Sequence, residues 1–277
     1  MPSPWVADRS KLPHPESVEV WVDGQIGHIQ LAEPERLNPL GANEIHVHYA
    51  LEELRANLDV RVVVLSAQGR AFCAGADIRP TNHFGGHDEL DWSNGQRLAY
   101  KYAFGNMWET LHNFPKPMVA AVQGYCLGGG WELAHMCDLI IASDDAVFGA
   151  VEMDVGLPPF SNTCNYLAKM VGKHKALDWL LNARRIPAQE LLQHDLVNQV
   201  VPRDQLFDTA VEVAKTIAAR PPLTVAAVRQ LVKKSMNTME HYELERAWAY
   251  FLKGTDDSIK ARAAVAERQP PPEFTGE

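Results

Sequence analysis

Apolar and polar residues alternate over Val18-Glu-Val-Trp-Val22 and again over His28-Ile-Gln-Leu-Ala32, with Asp23-Gly24 between them. That period of two, broken at an Asp-Gly pair, predicts a β-hairpin. From Leu40 to Leu58 the period lengthens, and Leu51, Leu54 and Leu58 fall on one face of a predicted amphipathic helix. Three short apolar runs follow: Arg61-Val-Val-Val-Leu-Ser66, Met118-Val-Ala-Ala-Val122 and Leu139-Ile-Ile-Ala142. Runs of this length without alternation suit strands buried on both faces. Helices fit between them, at about 93–113 and from Gly129 to Met136. Strands alternating with helices imply an α/β fold.

Beyond about residue 160 the pattern becomes helical. Pro187, Pro202 and Pro221-Pro222 punctuate predicted helices at about 161–171, 174–182, 188–194, 204–219, 223–237 and 240–254. Val197-Asn-Gln-Val-Val201 reads as a last short strand, and the proline-rich tail from Gln269 as extended chain. The boundaries expected are a core over 1–202 and a helical segment over 203–277. At 277 residues and 46% hydrophobic content, the chain can bury a large single core.

Composition narrows the chemistry. No run reaches the roughly 18 to 20 apolar residues that span a bilayer, so no membrane association is expected. The start, Met1-Pro-Ser-Pro-Trp, lacks an apolar signal-peptide region. Cys73, Cys126, Cys137 and Cys164 are far apart in sequence and form no CxxC pair, which predicts neither a disulfide framework nor a metal site and suits a reducing, cytoplasmic setting. The formal net charge of −9 argues against nucleic acid as a partner, while leaving room for a local basic patch. His46 and His48 stand two apart and face different sides of a helix, which is poor metal-ligand spacing.

Two segments concentrate the candidate chemistry. Ala71-Phe-Cys-Ala-Gly-Ala-Asp-Ile78 follows one buried strand, and Gln123-Gly-Tyr-Cys-Leu-Gly-Gly-Gly-Trp-Glu132 follows the next. Glycine at such strand ends lets another molecule approach backbone N–H groups that have no intrahelical partner. Two such turns on adjacent strands could aim two donors at one oxygen, as an oxyanion hole does. The spacings of the dinucleotide and phosphate loops are both absent. Glu132 follows the triple glycine by one position, and Glu152 comes 20 residues later in Phe148-Gly-Ala-Val-Glu-Met-Asp-Val-Gly156. Carboxyl groups in apolar surroundings are expected to exchange protons near neutrality.

These blocks, with Glu33-Pro-Glu-Arg-Leu-Asn-Pro-Leu40, Cys137-Asp138, Leu196–Val201 and Ala266-Glu-Arg268, resemble the enoyl-CoA hydratase/isomerase (crotonase) family over nearly the whole chain. The resemblance implies a spiral of ββα turns with a helical C-terminal segment that covers the pocket and joins subunits into trimers or dimers of trimers. It implies an acyl-CoA thioester substrate and no separate cofactor, coenzyme A being part of the substrate. By position, the N–H groups of Ala76 and Gly129 would hold the thioester oxygen, and Glu132 and Glu152 would flank the α,β double bond and a water. Arg36, Asn38, Leu40, Ala74, Asp77 and Ile78 would face the coenzyme A; Arg36 reads equally as a phosphate partner or a solvated charge.

The chain departs from the family pattern at several places. Trp131 is bulky beside Glu132, and Phe160 stands in Gly156-Leu-Pro-Pro-Phe160 where a glycine is usual, so both are expected to touch the substrate. Lys260-Ala261 and Val265 replace the family's usual residues. Phe84, Trp92, Tyr100, Tyr102, Phe104, Trp108 and Phe114 enrich the segment that commonly shapes the acyl pocket, either stacking on an aryl or cyclic acyl group or packing a helix on the core. Gly-Leu-Pro-Pro is similar to the hydroxycinnamoyl-CoA hydratase-lyase branch, whose members generally lack a glutamate at the position of Glu132. Three functions follow: hydration using both glutamates; isomerisation or hydrolysis using one, or hydratase-lyase chemistry, on an aryl or cyclic acyl-CoA; or acyl-CoA binding without catalysis.

Overall fold

The computed structural model describes residues 15–41, 43–77, 107–159, 161–236, 252–270 and 272. The predicted hairpin is present: β1 (Val18–Asp23) runs antiparallel to β2 (Ile26–Leu31). Parallel to β2 lies β3 (Val62–Ala67), then β5 (Met118–Val122), β7 (Leu139–Ser143) and β10 (Gln199–Val201). Successive side chains on these strands point to opposite faces. Val62, Val64, Val119, Ala121 and Ile141 pack against Leu206, Ala210, Ala214 and Ala218 of a single helix (Leu206–Ala218). Val63, Leu65, Ala120, Val122, Ile140 and Ala142 join the larger core on the other side. Burial on both faces is why these strands read as unbroken apolar runs.

A second sheet, unread in the apolar pattern, supplies the second strand of the ββα turns that the family resemblance implies. It pairs β4 (Ala71–Cys73), β6 (Tyr125–Leu127), β8 (Val147–Gly149) and β9 (Ile186–Pro187) in that order. Each of β4, β6 and β8 leaves a strand of the first sheet within a few residues and continues parallel to its neighbour. The chain therefore climbs by paired strands, β3–β4, β5–β6 and β7–β8, and the mixed α/β class is as expected. Strands of two or three residues beside glycine leave no period to read, so they looked like turns.

Among the described residues the helices are α1 (Asn43–Ala56), α2 (Met107–Asn113), α3 (Gly129–Met136), α4 (Thr163–Val171), α5 (Lys173–Leu181), α6 (Ala188–Leu192), α7 (Leu206–Ala218), α8 (Pro222–Ser235) and α9 (Asp256–Ala266). All but α9 fall within, or close to, their predicted ranges. The earlier part of the 93–113 helix, most of the 240–254 helix and most of the tail lie outside the described residues. No described helix is long and apolar enough to cross a membrane. Among the described residues no group of three His, Cys, Asp or Glu side chains is placed to hold a metal, and all four cysteines are free thiols.

Candidate active site

The site begins with a buried asparagine. Leu37 and Asn38 both take left-handed backbone conformations, with φ of 66° and 51°. The Asn38 amide accepts from Glu33 N at 2.8 Å and donates to the carbonyls of Gln68 and Ala71, each at 2.9 Å. The next residues are thereby laid along the end of β4: Ala74 N donates to Leu37 O at 3.0 Å, Leu40 N to Gly75 O at 2.8 Å, and Asp77 N to Leu40 O at 2.7 Å. Leu40 and Ala76 form a parallel bridge. Leu40 bonds to the residues on either side of Ala76, so the N–H and carbonyl of Ala76 itself point the other way.

The second strand end closes on the first. Gly128 caps α3 at φ 53° and ψ −126°, a conformation open in practice to glycine alone, and its N–H donates to Gly149 O at 2.8 Å. A methyl on Gly130 would lie 2.2 Å from the Cys73 carbonyl oxygen, so the first turn of α3 sits directly against the end of β4. A methyl on Gly129 would lie 3.8 Å from Ala76 N, 3.9 Å from Glu132 Oε2 and 2.9 Å from Leu40 Cδ1. Among the described residues, no carbonyl accepts from Ala76 N or from Gly129 N. Two N–H donors thus lie within a few ångströms of each other at the head of a short helix, where partial positive charge accumulates.

Two carboxylates reach the same turn. Glu132 projects from the first turn of α3 and is 1% exposed. Ser161 donates to it twice, from its N–H to Oε1 and from its hydroxyl to Oε2, both at 3.3 Å. Glu152 opens a single turn of 3-10 helix (Glu152–Val155) and is 7% exposed. Its Oε1 lies 3.3 Å from where a methyl on Gly128 would be. Chemically, the arrangement offers two hydrogen-bond donors for an oxyanion and two buried carboxylates for proton transfer.

The expected residues divide. Ala76, Gly129, Glu132, Glu152 and Leu40 come together. Ala74 and Asp77 fix the turn by backbone bonds, and Arg36 pairs with the carboxylates of Glu33 (2.7 Å) and Asp77. The Asn38 side chain, expected at the ligand, is taken up by backbone groups and shapes the turn instead. The Trp131 ring, expected to crowd the substrate, is 1% exposed in the core, edge-on to Phe148 at 6.1 Å and tilted toward Trp179 at 6.5 Å. Successive residues on a helix point about 100° apart, which is how Trp131 enters the core while Glu132 serves the site. Trp108 and Phe114 are also core residues; Phe84, Trp92, Tyr100, Tyr102, Phe104, Ile78 and Phe160 lie outside the described residues.

Several supporting residues escaped sequence reasoning. Ser161 follows the divergent Gly156–Phe160 stretch, and nothing in its sequence surroundings marks it as a partner of Glu132. His135, three residues after Glu132, contacts Thr163 Oγ1 through Nε2 at 2.9 Å and stacks on Tyr166 at 4.7 Å, joining α3 to α4. Burial pulls the His135 pKa down to about 4. Ser258 of α9 donates from its hydroxyl to Val155 O at 3.1 Å, and its backbone abuts Gly156.

Comparison with known proteins finds relatives over nearly the whole chain. A sequence model described as enoyl-CoA hydratase/isomerase matches residues 22–277. A Rhizobium meliloti protein named "Probable enoyl-CoA hydratase" is 36% identical over 258 residues, covering 92% of this chain and 96% of its own. Among solved structures, an enoyl-CoA hydratase subunit I from Geobacillus kaustophilus HTA426 superposes with a TM-score of 0.71 at 35% identity, covering 94% of this chain and 98% of its own. A carnitinyl-CoA hydratase from Mycobacterium avium reaches a TM-score of 0.80 at 26% identity, covering 95% and 99%.

Proposed function

Because the chain belongs to the enoyl-CoA hydratase/isomerase family, we propose that it adds water reversibly across the α,β double bond of an acyl-coenzyme A thioester. The observation that carries this reading is the convergence of two carboxylates, Glu132 and Glu152, on the turn that presents the Ala76 and Gly129 N–H groups. The thioester oxygen takes both N–H bonds. One carboxylate removes a proton from water as the hydroxyl oxygen bonds to Cβ, and the electron pair of the double bond moves onto the thioester as an enolate. The two donors stabilise that negative charge as it develops. The other carboxyl group delivers a proton to Cα and regains one from the first by exchange through water, so that one water is added in all, the thioester is restored and both carboxyl groups return to their starting states. Neither a metal nor a redox cofactor enters this sequence.

Arg36 and the turn from Ala74 to Asp77 border the path assigned to the coenzyme A. Arg36 is drawn by two carboxylates already, so a phosphate would compete with Glu33 and Asp77 for it. We also assign a cytoplasmic homotrimer or dimer of trimers. The exposed apolar side chains of α8, Leu223, Val228, Leu231 and Val232, support burial against another subunit.

The test is an ultraviolet assay of the conjugated enoyl thioester. Crotonyl-CoA should lose its enoyl absorbance when the protein is added, and regain it from the 3-hydroxy product. Running cinnamoyl-CoA and cyclohexenyl-CoA beside it sets the acyl preference, since a relative of the same fold is named for a carnitinyl group. No absorbance change with any of the three would overturn the hydratase reading.

A further inference from the structure

We propose that Ser161 is a positioning residue for Glu132, clamping both carboxylate oxygens so that the group enters the reaction ionised and in one orientation. The inference rests on the hydratase reading for its kinetic consequence only. Ser161 is fully buried on the chain that leads into α4, next to Asn162 with φ 66°. Its N–H meets Oε1 and its hydroxyl meets Oε2, each at 3.3 Å. A backbone N–H is a donor and nothing else, so protonating Oε1 would lose that bond. The hydroxyl can rotate to accept from a protonated Oε2, but only by giving up its own donated bond. Both contacts therefore favour the carboxylate over the carboxylic acid. They also hold the plane of the carboxyl group, because each oxygen is tied separately.

A bond of 3.3 Å is at the long end for either donor, so the effect of the hydroxyl should be modest. The titratable groups described around Glu132 can be separated from this effect. Burial pushes the thiol of Cys73 in β4 up to about 12, and the charge of Glu132 adds a smaller push in the same direction. Glu44 of α1 acts on the same thiol. His135 in α3 is pulled down to about 4 by burial. Both Cys73 and His135 thus stay neutral near neutrality. Glu152, across Gly128, is the other carboxyl at the turn, and Glu152→Gln removes it from the measurement.

Two readouts test the proposal on the full chain. The first is the infrared carboxyl band of the free protein, assigned to Glu132 by its disappearance in Glu132→Gln. Its titration midpoint should rise by about half a pH unit to one unit in Ser161→Ala and stay near the wild-type value in Ser161→Thr, which keeps the hydroxyl. The second is the pH profile of hydration. The acid limb of kcat/KM should move to higher pH by the same amount, with kcat about tenfold lower and KM within about twofold. An unmoved midpoint, or a Thr variant that behaves like Ala, overturns the proposal. A midpoint that moves in a protein without enoyl-CoA turnover supports the clamp and sinks the hydratase reading instead.

Discussion

The two carboxylates reach one turn from scaffolds of different kinds. Glu132 stands on α3, a regular helix whose neighbouring side chains Trp131, Leu133 and Ala134 are all buried. Its helix starts at Gly128, is pressed against Cys73, and is tied through His135 to Thr163 at 2.9 Å. Glu152 stands on one turn of 3-10 helix that ends at Gly156 with φ 69°, closed by Leu157 N donating to Glu152 O at 3.0 Å. The brace for that turn comes from α9, through Ser258, more than a hundred residues further along. One carboxylate is held by what surrounds it in the core. The other depends on the C-terminal helix docking where it does. Positions built on regular elements are held more tightly than positions on turns, so the Glu152 side should tolerate less damage at a distance.

Replacing each carboxylate by its amide tests the comparison with the largest effect. Glu132→Gln and Glu152→Gln should each lower kcat for hydration by about 10²-fold or more, the scale of losing a general acid or base. Both losses should persist at saturating thioester, because the N–H pair at Ala76 and Gly129 is untouched. Steady-state kinetics on the two variants decides this. If one of them is nearly silent, the reaction uses a single carboxylate, and isomerisation or hydrolysis replaces hydration.

Much of the difference between the two sides follows from what the chain shows locally. The strands of the first sheet were legible because burial on both faces leaves continuous apolar runs, as in Val62–Leu65 and Met118–Val122. The helix from Gly129 to Met136 was legible with its ends, because a triple glycine precedes a short apolar stretch. The second sheet was not, since three-residue strands carry no period. Nor was α9, whose apolar positions follow no clear helical stripe; its start was signalled only by Thr255, whose hydroxyl accepts from Ser258 N at 3.3 Å. Asn38 looked like a ligand contact because its three bonds join Glu33, Gln68 and Ala71, which are neighbours only after folding. Ser161 was hidden for the same reason, 29 residues from the carboxylate that it clamps.

Acid should weaken the Glu132 side in a particular way. His135 has an ordinary value of 6.5 and is pulled to about 4 by burial. The unfolded chain therefore binds a proton at a pH where the folded protein does not. The stabilisation is fully present above pH 6.5 and is lost as pH falls from there toward 4. Between about pH 7 and pH 5 the loss from this group comes to about 2 kcal/mol. His28, His48 and His112 are also lowered by burial and add in the same direction. His135→Gln keeps a polar partner for Thr163 and removes the titration. Denaturant midpoints at the two pH values should thus fall closer together in the variant than in the wild type, by about that amount. Equal pH dependence in both proteins would mean that His135 titrates at its ordinary value in the folded protein as in the unfolded chain.

The smallest effect bears on the Glu152 side. Ser258→Ala removes the bond to the Val155 carbonyl and leaves that acceptor facing a methyl group in a buried site. The expected cost is about 1 kcal/mol of stability. If Ser258 fixes the turn, kcat should also fall about three- to tenfold with KM unchanged, since a misplaced proton donor weakens the transition state more than substrate binding. Thr255→Ala is the matched control. It removes the cap of α9, again for about 1 kcal/mol, and leaves the Ser258 hydroxyl opposite Val155. A brace on the catalytic turn predicts that Ser258→Ala loses more turnover than Thr255→Ala at equal loss of stability. Equal turnover in the two would make α9 a packing element that steadies the fold, and Glu152 would then be held by its own short turn.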